Sequence, residues 1–113
     1  MVQTDAALMQ LIESVRAFNA RFQLADYQDA GSVARNVHEE AGEVVLALTW
    51  GHRDDVVQEL ADLLFVTLQG CFALGVTDAD LARAMVSVAE KNNLKTHATH
   101  RVEGGKVRRL PSL

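Results

Sequence analysis

A chain of 113 residues is one domain's worth of protein, and 49% hydrophobic with 23% charged residues is the composition of a globular chain, not a disordered one. The formal charge of −4 argues against a general nucleic-acid binder, and the single cysteine, Cys71, excludes an intrachain disulfide or a cysteine-cluster metal site. No apolar run approaches the ~18 residues of a membrane span, and Met1 to Ala7 lack the basic start and apolar stretch of a signal peptide. A cytoplasmic protein with neither membrane nor nucleic-acid partner is the expectation. The charge is unevenly spread. Residues 1–90 carry 14 acids and five bases, whereas residues 91–113 carry six bases and one acid.

The only proline, Pro111, lies near the end, and glycines mark the joints instead: Gly31, Gly51, Gly75 and the pair Gly104-Gly105. Helical spacing predicts a first helix from Asp5 to Phe22, with Leu8, Leu11, Ile12, Val15 and Phe18 on one face. A loop over Ala25 to Ala30 follows. Ser32 reads as the N-cap of a second helix reaching Trp50. Gly51-His52-Arg53 forms a tight turn, and Asp54 caps a third helix to Leu74, ended by Gly75. Thr77 or Asp78 caps a fourth helix from Ala79 to Lys95, and residues 96–113 read as a loose, basic, glycine-containing tail. The fold class expected is all-α, an antiparallel four-helix bundle. The third helix is apolar nearly all round, with Val56, Val57, Leu60, Leu63, Leu64, Phe65, Val66 and Leu68. Such a helix needs cover on several sides, so the bundle is expected to be completed by homo-oligomerisation.

The acids on the second and third helices fall on the wrong face for a solvated surface. Helices advance about 100° per residue. With Glu40 at zero, Val33, Val37, Val44, Ala47 and Leu48 fall between about −20° and 80°, so Glu40 is in the middle of the apolar stripe. Glu43 lies on its edge at about −60°, with Glu39 beside it. On the third helix Glu59 is centred among Val56, Leu63 and Val66, and Asp62 again lies at about −60°. Folding at Gly51 into an antiparallel hairpin lets Glu40, Glu43, Glu59 and Asp62 converge. Like charges packed on a half-buried face either take up protons or bind cations. A hard divalent cation resolves the conflict: magnesium prefers oxygen ligands, and the absence of His and Cys disfavours zinc. Salt bridges to Arg35 or Arg53 are the alternative.

The run His38-Glu39-Glu40-Ala41-Gly42-Glu43-Val44, followed by Glu59-Leu60-Ala61-Asp62-Leu63-Leu64, resembles the MazG-like all-alpha nucleoside triphosphate pyrophosphohydrolases, whose motif is Glu-Glu-x-x-Glu on one helix and Glu-x-x-Asp on the next. The resemblance covers residues 33–95 and makes residues 1–95 a helical catalytic domain. It implies that Glu40, Glu43, Glu59 and Asp62 are magnesium ligands, with manganese as a substitute, and that Glu39 contacts metal or orients the attacking water. The activity implied is hydrolysis of nucleoside triphosphates to monophosphate and pyrophosphate by a dimer or tetramer, in nucleotide-pool housecleaning. Two rivals are phosphoribosyl-ATP pyrophosphatase and a non-catalytic metal- or nucleotide-binding regulatory module. Lys91, Asn92 and Lys95 resemble family elements that touch phosphate and sugar; the alternative is a helix C-terminus whose lysines favour the dipole. By the same resemblance Trp50 stacks on the base, or else packs at the hairpin turn. The basic tail either folds over a bound triphosphate or stays disordered.

Overall fold

The computed structural model describes residues 3–112, which fold into four α-helices and one β-hairpin. The chain divides into two compact units, one reaching Val76 and one starting at Thr77.

The first unit holds α1 (Thr4–Phe22), a 3-10 turn at Leu24–Asp26, α2 (Ala30–Trp50) and α3 (Arg53–Ala73). The expected apolar face of α1 is the one turned inward. Val15 is fully buried, and Leu8, Leu11, Ile12 and Phe18 are half-buried. Phe18 meets Phe65 of α3 edge-on at 5.3 Å between ring centroids, and the Arg16 guanidinium lies 4.3 Å over the Phe72 ring. These contacts fix α1 on α3. Gln23 then takes a left-handed conformation, φ 52°, and turns the chain out of the helix.

The N-caps differ from those expected for α2 and α3. Asp29 caps α2, and Ser32 is the third helical residue of a capping box: the Ser32 amide donates to Asp29 Oδ1 at 2.8 Å, and the Asp29 amide donates to Ser32 Oγ at 3.0 Å. Either residue type can cap, and the reciprocal pair decides in favour of the earlier one. The Ser32 amide hydrogen bond is also the main reason the Asp29 carboxyl lies below its ordinary pKa. His52, not Asp54, is the N-cap of α3, and its amide donates to Asp55 Oδ2 at 3.1 Å.

Between α2 and α3 the link is two residues long, so the helices pack as an antiparallel hairpin. Gly70 permits the close approach, and Gly51 lets the chain turn tightly off the end of α2. A Cβ at Gly51 would lie 2.8 Å from the Ala47 carbonyl oxygen, and one at Gly70 would lie 2.5 Å from Val33 Cγ1. Val33, Ala47, Gln69 and Gly70 are buried along this hairpin. At the other end, Gly75 ends the unit's last helix with φ 99°.

The second unit holds α4 (Asp78–Asn93), β1 (His100–Glu103) and β2 (Lys106–Arg109). Thr77 caps α4 through a capping box with Asp80. Residues 96–113, expected as a loose tail, contain the antiparallel β1–β2 pair, in register Val102↔Val107 and Glu103↔Lys106. Gly104 (φ 58°) and Gly105 (φ 76°) supply the two left-handed positions of a two-residue hairpin turn, which sets that register. The His100 amide donates to the Thr96 carbonyl at 2.8 Å and the Leu110 amide to the Thr99 carbonyl at 2.8 Å, which ties the hairpin to the turn before it.

Gly70→Ala tests the hairpin packing. The added methyl gains helix propensity but collides with a β-branched side chain that has one preferred rotamer. The expected net loss is ~1–3 kcal/mol in urea denaturation, partly recovered when Val33→Ala is added.

Candidate metal centre

The α2–α3 hairpin sets Glu40 opposite Asp62, each eleven residues from Gly51, with Glu59 one turn before Asp62 on α3. One carboxylate oxygen from each of Glu40, Glu59 and Asp62 lies within 4.8 Å of the others, and all three side chains are half-buried. Partial burial and the charges of Asp62, Glu59, Glu39 and Glu43, in that order, push the Glu40 pKa up. Neither Arg35 nor Arg53 forms an ion pair with these acids among the described residues. The three convergent carboxylates thus share a half-buried face with neither Arg35 nor Arg53 as a counter-charge.

Glu43 and Glu39 are exposed and lie outside the triple, although both charges reach Glu40. Their position follows from the helical wheel, which puts Glu43 on the edge of the apolar stripe and Glu39 beyond it. The donor set is all oxygen, without His or Cys. Its chemistry fits a hard divalent cation that keeps water in its remaining positions, and fits zinc poorly.

The family model for phosphoribosyl-ATP pyrophosphohydrolase matches residues 7–92, about three quarters of the chain and all of the carboxylate centre. The chain belongs to the phosphoribosyl-ATP pyrophosphohydrolase family. A relative, the histidine biosynthesis bifunctional protein HisIE of Deinococcus radiodurans, is 41% identical over 63 residues, which are 56% of this chain and 29% of that protein. The match thus spans less than a third of the length of that relative. No solved structure matches the chain. The family is one of pyrophosphohydrolases, enzymes that cleave a phosphoanhydride, so the coarser part of the resemblance read from the two acidic motifs holds.

Other residues singled out in the sequence sit as follows. Trp50 ends α2 and is 83% exposed, so it does not pack at the turn. Lys91 is exposed near the end of α4, and Asn92 Nδ2 donates to the Val88 carbonyl at 2.9 Å. Lys95 lies beyond both α4 and the family match, where it lines a cavity with the β-hairpin. One polar group was not anticipated. Gln69 Nε2 donates to Gln28 Oε1 at 2.6 Å, Asn19 Nδ2 donates to the Gln69 carbonyl at 3.0 Å, and Asn19 Oδ1 is buried without a hydrogen-bond partner. Gln69 stands seven residues after Asp62 on the same stripe, a spacing visible in the sequence once Asp62 is taken as inward-facing.

Raising a carboxyl's pKa on folding stabilises the fold while the group is protonated, and that contribution is lost as pH rises through the folded pKa. Glu40 therefore weakens the metal-free fold at neutral pH. Glu40→Gln is expected to melt above the parent in EDTA at neutral pH. The gap should close as the pH falls below the ordinary glutamate range, as followed by thermal unfolding.

Proposed function

We propose that the chain is a magnesium-dependent phosphoribosyl-ATP pyrophosphohydrolase, in which water cleaves the anhydride between the α and β phosphates to leave phosphoribosyl-AMP and pyrophosphate. The observation that carries this reading is the convergence of Glu40, Glu59 and Asp62 inside a region matched by that family. The broader nucleotide-pool role expected from the acidic motifs is compatible with the same chemistry, but the family model and the histidine-biosynthesis relative favour the more specific substrate. A biosynthetic role of that kind suits a cytoplasmic enzyme.

Glu40, Glu59 and Asp62, with Glu43 at the rim, would hold magnesium, or manganese in its place. The ion would neutralise charge on the triphosphate and make a bound water more acidic. Phosphoryl transfer asks mainly for charge neutralisation and positioning, and the half-buried carboxylates provide the fixed geometry. Glu39, exposed and next to Glu40 in the chain, would accept the attacking water's proton on a carboxylate oxygen. By the family resemblance Lys91, Asn92 and Lys95 would contact phosphate and sugar, and the exposed Trp50 the base, whose flat face stacks on an indole.

Release of pyrophosphate from phosphoribosyl-ATP, ATP, dCTP, dUTP and dTTP, with magnesium and with EDTA, tests this. Turnover of phosphoribosyl-ATP with magnesium is the expected result. Turnover of the plain triphosphates alone would restore the housecleaning role, and no turnover at all would favour a regulatory binding module. Asp62→Asn and Glu59→Gln should each lower turnover by about 100-fold or more with the helical circular dichroism intact.

We infer that the chain assembles with copies of itself through the apolar faces of α2 and α3. Arg53–Ala73 is long and apolar enough to cross a membrane by length and composition, yet it carries Glu59 and Asp62 in mid-helix. Val57, Leu60 and Leu64 of α3 and Val45, Leu46 and Leu48 of α2 are each about half exposed or more. Mid-helix carboxylates are costly in lipid, whereas a second copy covers the apolar faces and leaves the carboxylates wet. Sedimentation velocity is expected to show a dimer or tetramer, and a monomer at micromolar concentration would overturn this assembly.

A further inference from the structure

The β1–β2 pair is the whole sheet among the described residues, so each strand has one edge without a partner strand. An isolated two-stranded hairpin is marginal at best, and three or more strands are the usual minimum for a stable sheet. Both strands lie beyond the family match, which ends at residue 92.

The register decides which backbone groups face outward. The Leu110 amide donates to the Thr99 carbonyl, and Glu103 and Lys106 flank the two-residue turn. The hydrogen-bonded pairs across the hairpin are therefore Thr99–Leu110, Arg101–Arg108 and Glu103–Lys106. His100 and Val102 alternate with them and direct their amides and carbonyls away from β2. The Thr96 carbonyl takes the His100 amide at 2.8 Å, which leaves the amide and carbonyl of Val102 as the centre of the open edge. Arg101 and Glu103 project from one face of β1 and Val102 from the other. Arg101 stands opposite Arg108, a like-charge pair that weakens the hairpin. Its ion pair with Glu103 joins side chains that are 53% and 56% exposed, so each has room for a further partner.

Antiparallel strands bond where outward-facing residues meet outward-facing residues. For β1 against a second β1, that condition allows Arg101 opposite Arg101, Glu103 opposite Glu103, or Val102 opposite Val102. The first two oppose like charges. The third sets each Arg101 opposite the second copy's Glu103, so that four charges alternate in sign around a square. On the other face, Val102 and Val107 of both copies form one apolar row. Strand β2 offers no equivalent, because every register of β2 on itself opposes cations among Lys106, Arg108 and Arg109, a common guard on edge strands. We propose that β1 pairs antiparallel with β1 of a second copy, Val102 on Val102, to make a four-stranded sheet across a two-fold axis. The contact is isologous and closes on itself, with the guarded β2 strands outermost. It stands on the strand edge alone and is separate from the helix faces inferred above to assemble.

Cross-linking of the full chain tests the register. With Cys71→Ser in place, Val102→Cys is expected to give a covalent dimer on oxidation, because bonded pairs set Cα atoms about 5.5 Å apart, within reach of a disulfide. Val107→Cys is the control: it shares the apolar face and is half exposed, but it lies on the guarded strand and should run as a monomer on a denaturing gel. Sedimentation velocity tests the charges. Glu103→Arg should halve the parent's mass, and adding Arg101→Glu should restore it, because the square re-forms with its signs exchanged. No cross-link at Val102, equal cross-linking at Val107, an unchanged mass in Glu103→Arg, or a halved mass that Arg101→Glu does not restore would each overturn the proposal. Open-ended growth of the parent would overturn it too, since that is the signature of β1 pairing with a second copy's β2. Assembly through the helix faces alone leaves the mass of Glu103→Arg unchanged, so the two interfaces fail separately.

Discussion

Mutual repulsion among Glu40, Glu59 and Asp62 is the constraint around which the first unit is arranged. A chain free to relax would separate these side chains into water. Here the short link at Gly51-His52 and the close contact of Gly70 with Val33 hold α2 against α3, and the apolar stripes that bury Val33 and Ala47 carry the acids inward with them. The packing energy of the hairpin is thereby set against the electrostatic cost of the cluster. The raised pKa of Glu40 is the visible trace of that opposition.

Helix α3 serves three surfaces at once. Phe65 and Phe72 receive α1, Glu59 and Asp62 face α2, and Val57, Leu60 and Leu64 remain outward. A helix with so many obligations has little room for polar residues outside the cluster. This explains why a 21-residue segment passes for a membrane span by hydropathy while holding two of the three carboxylates of the candidate centre.

Much of this was legible because helical periodicity is a local signal. The inward face of α1, the turn at Gly51 and the convergence of Glu40, Glu59 and Asp62 all follow from the spacing of residues within a few turns. The N-cap of α2 differs because Asp29 and Ser32 are reciprocal partners and the sequence does not say which member starts the helix, whereas α3 begins two residues before the expected Asp54, at His52, whose amide bonds Asp55. The β-hairpin is not legible in the sequence, because its strands are four residues long and nearly all exposed, so neither shows the alternation that burial imposes. Gly104-Gly105 is its one local signal, and the pair fits a two-residue turn as well as it fits a loose tail. The amide group of Asn19, Gln28 and Gln69 joins α1, α3 and the loop before α2, and no local pattern predicts such a meeting.

The contact of Gly70 with Val33 reaches further than stability. Val33 stands seven residues before Glu40, and Gly70 eight after Asp62, so about two helical turns separate this contact from the carboxylates on both helices. Two stiff helices joined at one end behave as calipers. The thickness of side chain admitted at position 70 sets their opening, and with it the bore between the carboxylate oxygens. For any ion held there, fit to its radius is then governed partly by a residue that never touches it. Discrimination between a small ion with rigid octahedral demands and a larger, more tolerant one can drift through substitutions at positions 33 and 70 while every acidic residue stays the same.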